Sequence, residues 1–315
     1  MSPEDFKTAL TQIGPVVNEQ AKKPRTFTLS VKKKFENYSL LDLYTASFSH
    51  KERAYWSQKI ESGNLVVDHQ KVSPEYIVKP GQITSHTVPP KPEPKVSWNV
   101  ELIHADPDFW IINKPSPLPV HAGGRFLYNT LSNGLKLAFP GCSFHLINRL
   151  DANTTGIVVI ALNKRTATQI GQQFEARKVI KTYLALVDGL PNSSVFESTA
   201  PIGKKKTPAG GRKLEKGSDS LTRFKLLKSK GEKSLLEVTP STGRTNQIRL
   251  HLAGLKLPIR GDLGYANPEY FENKPLTYPE DTLFLHAWKL QFTHPTTKEQ
   301  LQFEAPLNNK WKPYI

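Results

Sequence analysis

An aspartate at the start of a strongly apolar segment is the first residue whose position could support catalysis. Asp151 precedes the longest apolar run, Ile157 to Leu162, and Arg149 lies two residues before it. In an extended backbone these two side chains project to the same side, and a nearby guanidinium favours the ionised form of a half-buried carboxylate. Such a carboxylate beside a groove can act as a nucleophile or a base. A turn aspartate that hydrogen-bonds its own loop is the alternative.

A second group of polar residues lies where a predicted strand turns into a predicted helix. The strand ends at Thr239, the chain turns at Gly243, and Thr245 is placed to cap the helix. Arg244 and Arg249 then lie near the helix N-terminus, where free N–H groups favour a phosphate or a carboxylate. A surface helix with ordinary arginines is the alternative. The predicted core-facing stripe has i, i+4, i+7 spacing: Ile248, Leu252 and Leu255.

The remaining reactive side chains support fewer roles. Tyr183 begins an apolar strand, and taken alone it is a packing residue. His251 is expected to pack or to hydrogen-bond. The nine histidines form no His-x-His or His-x-x-x-His pair, and Cys142 is the single cysteine. We therefore predict no metal site, no thiolate cluster and no disulfide framework.

Composition and breaks in the chain predict how these segments are organised. At 315 residues the chain is long enough for about two domains. Four prolines between positions 88 and 95 indicate a stiff linker. We predict a polar N-terminal arm over residues 1–34, a small α/β domain over 35–88, a linker over 89–99 and a catalytic domain over 100–315. Short strands and a few helices in the last segment favour an α+β fold.

The small domain is predicted from a short succession of elements. A helix begins near Leu40, a second covers Ser49 to Ser62 and ends at Gly63, and Leu65–Val67 forms a strand.

The charge of the chain indicates a polyanionic partner. The formal net charge is +15, and residues 201–230 carry ten Lys and Arg against two acids. Within that region, Lys204–Lys206 and Gly210–Lys213 predict a mobile basic loop, and Lys32–Lys34 form a second basic run. A solvated loop without a ligand is the alternative for either run alone. Together with the total charge they favour nucleic acid, bound with a steep dependence on salt.

No apolar run approaches the ~20 residues that a bilayer-spanning helix needs, so we expect no membrane partner. The N-terminus, with Glu4 and Asp5, does not have the pattern of a signal or transit peptide. We therefore expect a cytoplasmic protein.

Taken together, the segments resemble the RluA-type pseudouridine synthases. The matching motifs follow one another in the order of that family over about residues 100–305. They are Asn113-Lys114-Pro115, Val120-His121, Asn148-Arg149-Leu150-Asp151, Thr154-Thr155-Gly156, Lys181-Thr182-Tyr183, Gly243 to His251, Gly261 to Ala266, Leu285-His286-Ala287 and His294-Pro295. Residues 35–88 also resemble, more weakly, the S-four-type RNA-binding domain found upstream in this family.

The resemblance implies a pseudouridine synthase-like catalytic domain built on a mostly antiparallel mixed sheet, preceded by the small RNA-binding domain. It implies isomerisation of uridine in structured RNA, rRNA or tRNA, to pseudouridine without a cofactor, by a protein we expect to be monomeric. The uridine must be flipped out of its stack.

The resemblance also assigns roles to individual residues. Asp151 would be the catalytic carboxylate, either attacking the ribose or assisting glycal formation, and Arg249 would pair with it. Tyr183 would stack on the flipped base and help to remove the proton from its fifth ring carbon. Arg149 would fill the gap that the base leaves. Arg244, Asn148 and Lys181 would contribute to substrate binding.

Three residues depart from the family pattern: Asn148 and Asn246, where the family usually has His, and Ala266 in place of Gly. They keep a non-catalytic RNA-binding homologue open as an alternative. A glycosidase is a second alternative, but it would need a second carboxylate paired with Asp151. We find no convincing one, since Asp262 is more simply structural.

Overall fold

The structure, a computed structural model, describes residues 1–203, 212–265 and 282–315. The chain divides into two compact units, one formed by residues 1–18 with 93–315 and the other by residues 19–92. Part of the predicted basic loop and one of the departures from the family motif lie outside the described residues. They are Lys204, Lys205, Lys206, Gly210, Gly211 and Ala266.

The first 34 residues are folded, which corrects the prediction of a polar arm. Phe6 and Leu10 are fully buried, and the ring of Phe6 meets that of Trp110 edge-on, with centroids 5.5 Å apart. The segment is polar overall, so its few apolar residues at helical spacing did not indicate a packed helix in the sequence. Its elements are α1 (Pro3–Gln12), α2 (Gly14–Ala21), β1 (Arg25–Ser30) and a 3-10 turn (Lys33–Phe35).

The smaller unit packs two helices against a three-stranded antiparallel sheet. The Ser39 side chain accepts a hydrogen bond from the backbone N–H of Asp42 and so caps the first helix. Gly63, with φ of +74°, follows the second helix. Both predicted helices and the predicted strand are present. The elements are α3 (Leu40–Ser47), α4 (Arg53–Glu61), β2 (Leu65–Val67) and β3 (Ile83–Val88), and the strand order is β1-β3-β2.

The boundary between the units falls inside the predicted linker, between Pro92 and Glu93. The carboxylate of Glu93 accepts hydrogen bonds of 2.9 to 3.1 Å from the backbone N–H groups of residues 127–129. Trp98 packs against the core of the larger unit. The second half of the proline-rich segment is therefore anchored to that unit.

The larger unit is built on a sheet that has ten strands among the described residues. Its strands are β4 (Glu101–Ala105), β5 (Phe109–Lys114), β6 (His145–Leu146), β7 (Thr155–Ala161), β8 (Ile180–Asp188), β9 (Val195–Ser198), β10 (Thr222–Lys230), β11 (Lys233–Pro240), β12 (Leu285–Thr293) and β13 (Gln300–Glu304). The order is β4-β5-β7-β12-β8-β11-β10-β9, with β13 beside β12 and β6 beside β7. Among the described pairs only β7 and β12 run parallel. This confirms the predicted α+β fold on a mostly antiparallel mixed sheet.

Strand β7 lies in the middle of the core, which explains its unbroken apolar sequence. Val158 and Ile160 join one buried cluster, and Ile157 and Val159 join another. Because side chains alternate along a strand, both faces of the sheet are covered at this point. The helical elements of this unit, besides α1, are α5 (Leu131–Ala138), α6 (Lys164–Glu175), α7 (Gln247–Gly254) and a 3-10 turn (Asn309–Trp311).

Helix α7 differs in detail from the prediction. Its N-cap residue is Asn246, in the left-handed conformation with φ 57° and ψ 22°, and not Thr245. Ile248 and Leu252 are buried as predicted, but Leu255 lies beyond the helix and is exposed. The helix ends one residue before the last position of the predicted apolar stripe.

Candidate active site

The loop that carries Asp151 is held by hydrogen bonds on both sides. The fully buried ammonium of Lys114 donates to the carbonyl oxygens of Pro115 and Ala152, at 2.8 and 3.1 Å. The backbone N–H of Thr154 donates to the carbonyl of Asp151 at 3.1 Å. The Asp151 side chain, 32% exposed, is therefore presented from a fixed backbone.

Asn148 has a structural role in this loop, and its part in substrate binding stays a prediction. Its Nδ2 donates to the carbonyl of Ile157 at 3.1 Å, and its Oδ1 accepts from the N–H of Val159 at 2.9 Å. Both ends of the amide thus pair with the edge of β7. The side chain lines the cleft but offers its polar atoms to the strand.

Arg249, on the first turn of α7, joins two carboxylates. Its Nε and Nη2 donate to the two oxygens of Asp262, each at 2.7 Å, and its Nη1 donates to Oδ2 of Asp151 at 3.2 Å. Burial alone would lower the pKa of Arg249, but the hydrogen bonds and charge of Asp262, followed by the charge of Asp151, outweigh it and raise that pKa. The guanidinium therefore stays charged beside Asp151.

The Asp262 carboxylate is almost completely buried, with 1% of its side chain exposed. Burial alone would raise its pKa, but the hydrogen bonds and charge of Arg249 outweigh burial and lower it. The backbone N–H groups of Tyr265 and Gly264 donate to Oδ1 at 3.1 and 3.0 Å and act in the same direction. Asp262 is thus a buried anchor for Arg249, as the sequence suggested.

The amide of Asn246 lies between Asp151 and Tyr265. One terminal atom of this amide is 2.6 Å from Oδ2 and 3.1 Å from Oδ1 of Asp151, and the other is 2.8 Å from the Tyr265 hydroxyl. An amide oxygen so close to a carboxylate would be repelled, so the hydrogen-bond network assigns Nδ2 to the Asp151 side. Asn246 then donates to Asp151 and accepts from Tyr265.

Gln247 shapes the turn that leads into α7. Its Oε1 accepts from the Thr242 hydroxyl at 2.7 Å and from the Arg244 N–H at 3.0 Å. Its Nε2 donates to the Leu221 carbonyl and to the Thr222 hydroxyl. Every donor and acceptor of this buried amide is therefore used, and together these bonds hold residues 242–247 against residues 221 and 222.

Two residues of β8, Lys181 and Tyr183, point into the same cleft. Burial and the negative charge of Asp151 raise the pKa of Tyr183 to about 12, so its hydroxyl stays protonated at neutral pH. Burial, with a smaller contribution from the charge of Arg177, lowers the pKa of Lys181. The Lys181 ammonium has one long hydrogen bond, of 3.4 Å, to the carbonyl of Thr242.

These side chains surround one cleft of about 520 Å³. All seven residues that the sequence proposed for the site line it: Asn148, Arg149, Asp151, Lys181, Tyr183, Arg244 and Arg249. Their individual roles stay predictions. Sequence reasoning did not assign the amides of Asn246 and Gln247, and it did not include Arg177, which follows α6. The signal that could have identified Arg177 is its place beside Lys178 and close before Lys181 and Tyr183.

The cleft is electropositive. Arg149, Arg177, Lys181 and Arg244 line it, and none of them pairs with an acid among the described residues. Arg244 instead donates to the carbonyl of Asp219 at 3.2 Å. The described residues contain no group of three or more His, Cys, Asp or Glu that could hold a metal ion. Within the described part of the chain, no helix has the length and apolarity needed to cross a bilayer.

The sequence and the fold are similar to those of known proteins. Residues 108–254 match the family described as RNA pseudouridylate synthase. An uncharacterised RNA pseudouridine synthase of Synechocystis sp. is 34% identical over 85% of this chain and 94% of its own length. Ribosomal large subunit pseudouridine synthase C of Vibrio cholerae is 30% identical over 79% of this chain and 82% of its own length.

A third relative has a different named substrate. The mitochondrial tRNA pseudouridine(32) synthase of Saccharomyces cerevisiae is 31% identical over 80% of this chain and 56% of its own length. Among solved structures, human RNA pseudouridylate synthase domain containing 1 aligns with a TM-score of 0.53 at 29% identity. That alignment covers 66% of this chain and 84% of the human one.

Proposed function

This chain belongs to the RluA-type RNA pseudouridine synthases, which isomerise uridine in RNA, and we propose that Asp151 is its catalytic carboxylate. The observation that carries the proposal is the environment of Asp151. Its carboxylate is part-exposed to a cationic cleft, is held from behind by Arg249, and lies close enough to Tyr183 for its charge to raise the pKa of that residue.

The reaction needs one group that acts at the ribose. The bond between C1′ and N1 breaks, the uracil turns, and a bond forms between C1′ and C5. The proton on C5 is then lost and N1 gains one, so atoms and charge balance without an oxidant or a cofactor. Asp151 would serve either by attacking C1′ or by taking the C2′ proton on the glycal route. Both roles need an ionised, oriented carboxylate.

Tyr183 would provide the platform for the flipped base. Its ring lines the cleft beside Asp151, and its hydroxyl remains protonated because of its raised pKa. A protonated phenol cannot act as a pre-formed base at neutral pH. We therefore assign Tyr183 to stacking and to hydrogen bonding through its neutral hydroxyl, and any part in removing the C5 proton would run through that neutral group.

The unpaired cations would hold the RNA. Among the described residues, Lys181 and Arg244 line the cleft without a carboxylate partner, so a phosphate or a developing negative charge on the uracil would be stabilised there. Arg149 is exposed at the rim, where it can occupy the space that the flipped base leaves. Extruding a base costs a few kcal/mol, which phosphate contacts of this kind offset.

The substrate that we propose is structured RNA, either rRNA or tRNA, because relatives named for each share 30 to 31% identity with this chain. We further propose that residues 35–88 act as an RNA-binding domain of the S-four type. Its two helices, the antiparallel sheet that β2 and β3 form with β1, and the Lys32–Lys34 run just before it support that assignment. A monomer acting in the cytoplasm completes the proposal.

The test replaces Asp151 with asparagine, which keeps size and polarity and removes the charge. We expect Asp151→Asn to abolish pseudouridine formation in cellular RNA and to leave RNA affinity within about two-fold, since no phosphate contact is lost. Asp188→Asn, which alters a surface ion pair with Arg260, is the matched control. Full activity of Asp151→Asn in pseudouridine mapping would reject the proposal, and release of free uracil by the wild type would indicate a glycosidase instead.

A further inference from the structure

The carboxylate of Asp151 is contacted on both of its oxygens by one neighbour, Asn246. Arg249 approaches only Oδ2, at 3.2 Å, whereas the Asn246 amide nitrogen lies 2.6 Å from Oδ2 and 3.1 Å from Oδ1. The torsion that turns an aspartate carboxylate has broad, weak preferences, so a single contact on one oxygen does not set its plane. A donor that reaches both oxygens restricts that rotation.

We propose that Asn246 is a positioning residue that fixes the plane of the Asp151 carboxylate for reaction at the ribose. The inference rests on the proposed catalytic role of Asp151. Arg249 places a positive charge beside the carboxylate, and Asn246 supplies the geometry. The distances support these two roles, because the two short hydrogen bonds of Arg249, each of 2.7 Å, go to Asp262 and not to Asp151.

Tyr265 keeps the Asn246 amide in the donating orientation. Its hydroxyl lies 2.8 Å from the amide oxygen of Asn246, and its own oxygen accepts the Arg212 backbone N–H at 3.1 Å. With the Arg212 N–H directed at the oxygen of Tyr265, the hydroxyl proton is available for Asn246. Turning the amide over would place its oxygen against the Asp151 carboxylate and would require the Tyr265 hydroxyl to turn its proton away. Tyr265 therefore acts on Asp151 through Asn246.

The backbone of Asn246 has a second role, which the test must separate from the first. Its φ of 57° and ψ of 22° are in the left-handed region at the start of α7. Gly, Asn, Asp and His enter this region more readily than other residues do. Glycine therefore keeps the backbone and removes the amide, alanine strains the backbone as well, and histidine keeps both the backbone and an N–H donor.

The experiment measures kcat, KM, RNA affinity and melting temperature for Asn246→Gly, Asn246→Ala and Asn246→His. Loss of hydrogen bonds to a charged group predicts that Asn246→Gly lowers kcat roughly 10- to 100-fold, with RNA affinity and melting temperature close to wild type. Asn246→Ala should lose the same activity and also melt at a lower temperature. Asn246→His should recover most of the kcat that the glycine variant loses.

Tyr265→Phe tests the proposal without touching the backbone of α7, and we expect kcat to fall roughly 3- to 10-fold with KM unchanged. A glycine variant at wild-type kcat, a loss confined to KM, or a histidine variant as slow as the glycine one would overturn the inference. Asp151→Asn keeps this result separate from the proposed function. If Asp151→Asn is inactive while Asn246→Gly is fully active, only the positioning role fails, and an active Asp151→Asn removes the catalytic assignment itself.

Discussion

The guanidinium of Arg249 makes two parallel hydrogen bonds of 2.7 Å to the carboxylate of Asp262. This bidentate geometry is the strong form of an Arg–carboxylate pair, and both partners are largely buried. Nη1 takes no part in this pair, and it donates to Oδ2 of Asp151 at 3.2 Å. Asp262 therefore decides where Arg249 lies, and Asp151 receives a guanidinium whose position is already set.

Replacing Asp262 with asparagine should cost both stability and activity. The buried guanidinium would lose its charged partner, and breaking a buried pair on one side costs about 3 kcal/mol. Arg249 would also be free to move away from Asp151, so kcat should fall. Chemical denaturation and turnover on RNA measure the two effects. Asp188→Asn, in an exposed pair with Arg260, should cost less than about 1 kcal/mol.

The effect of Asp262→Asn on stability should depend on pH. The pKa of Asp262 is lower in the folded protein than the unfolded value of about 3.9, so the unfolded state takes up its proton first as the pH falls. The stabilisation from the ion pair is then fully present above about pH 4 and is lost as the pH falls through the folded pKa. The difference in the free energy of unfolding between wild type and Asp262→Asn should become smaller below about pH 4. A difference that stays constant there would contradict the lowered pKa of Asp262.

Replacing Tyr183 with phenylalanine should remove most turnover and leave RNA binding intact, because the ring remains and the hydroxyl is lost. With a pKa of about 12, Tyr183 should also contribute no ionisation to the kcat profile between pH 6 and about pH 10. Tyr44→Phe is the matched control, since it removes another buried hydroxyl, one that bonds Thr84 at 2.7 Å. A wild-type rate for Tyr183→Phe would remove its hydroxyl from the chemistry.

Replacing Arg149 with alanine should affect substrates according to how well the target uridine is stacked. If the side chain fills the gap behind a flipped base, kcat/KM should fall most for an RNA whose target is stacked in a loop or helix. It should fall much less for an RNA whose target is already unstacked, because extrusion then costs less. Arg165→Ala, on the exposed surface of α6, should change neither, and equal losses on both RNAs would argue against this role.

Two further exposed arginines of the cleft, Arg177 and Arg244, should act through phosphate contacts. Arg177→Gln and Arg244→Gln should each weaken RNA binding across sequences and reduce the slope of log affinity against log salt by about 0.7. Filter binding or fluorescence anisotropy over a salt series measures the slope. Arg260→Gln is the control, because Arg260 already pairs with Asp188. An unchanged slope in the Arg177 and Arg244 variants would place the RNA backbone elsewhere.

The local pattern of apolar and polar residues identified the helices and strands in which that pattern is strong. The apolar run after Asp151 became β7, the strand at Tyr183 lies within β8, and the spacing of Ile248 and Leu252 belongs to α7. It missed α1, whose two buried residues, Phe6 and Leu10, lie in a polar segment. It also missed β10, which carries a bulge between Leu226 and Lys228 that breaks the alternation of inward and outward side chains.

The amino-acid sequence by itself determined the family, the cationic character and seven of the residues that line the cleft, because each motif has its own residue types and spacing. Tertiary structure decided which of those residues touch. Asp151 and Arg249 are 98 positions apart, and the sheet that brings β7, β12, β8 and β11 side by side is what joins their loops. The amides of Asn148 and Asn246 show the same limit. Both residues stand where the family usually has histidine, yet Asn148 hydrogen-bonds to the backbone of β7 and Asn246 to the carboxylate of Asp151. Hydrogen-bond partners depend on directions and distances between segments far apart in the chain, which local sequence does not encode.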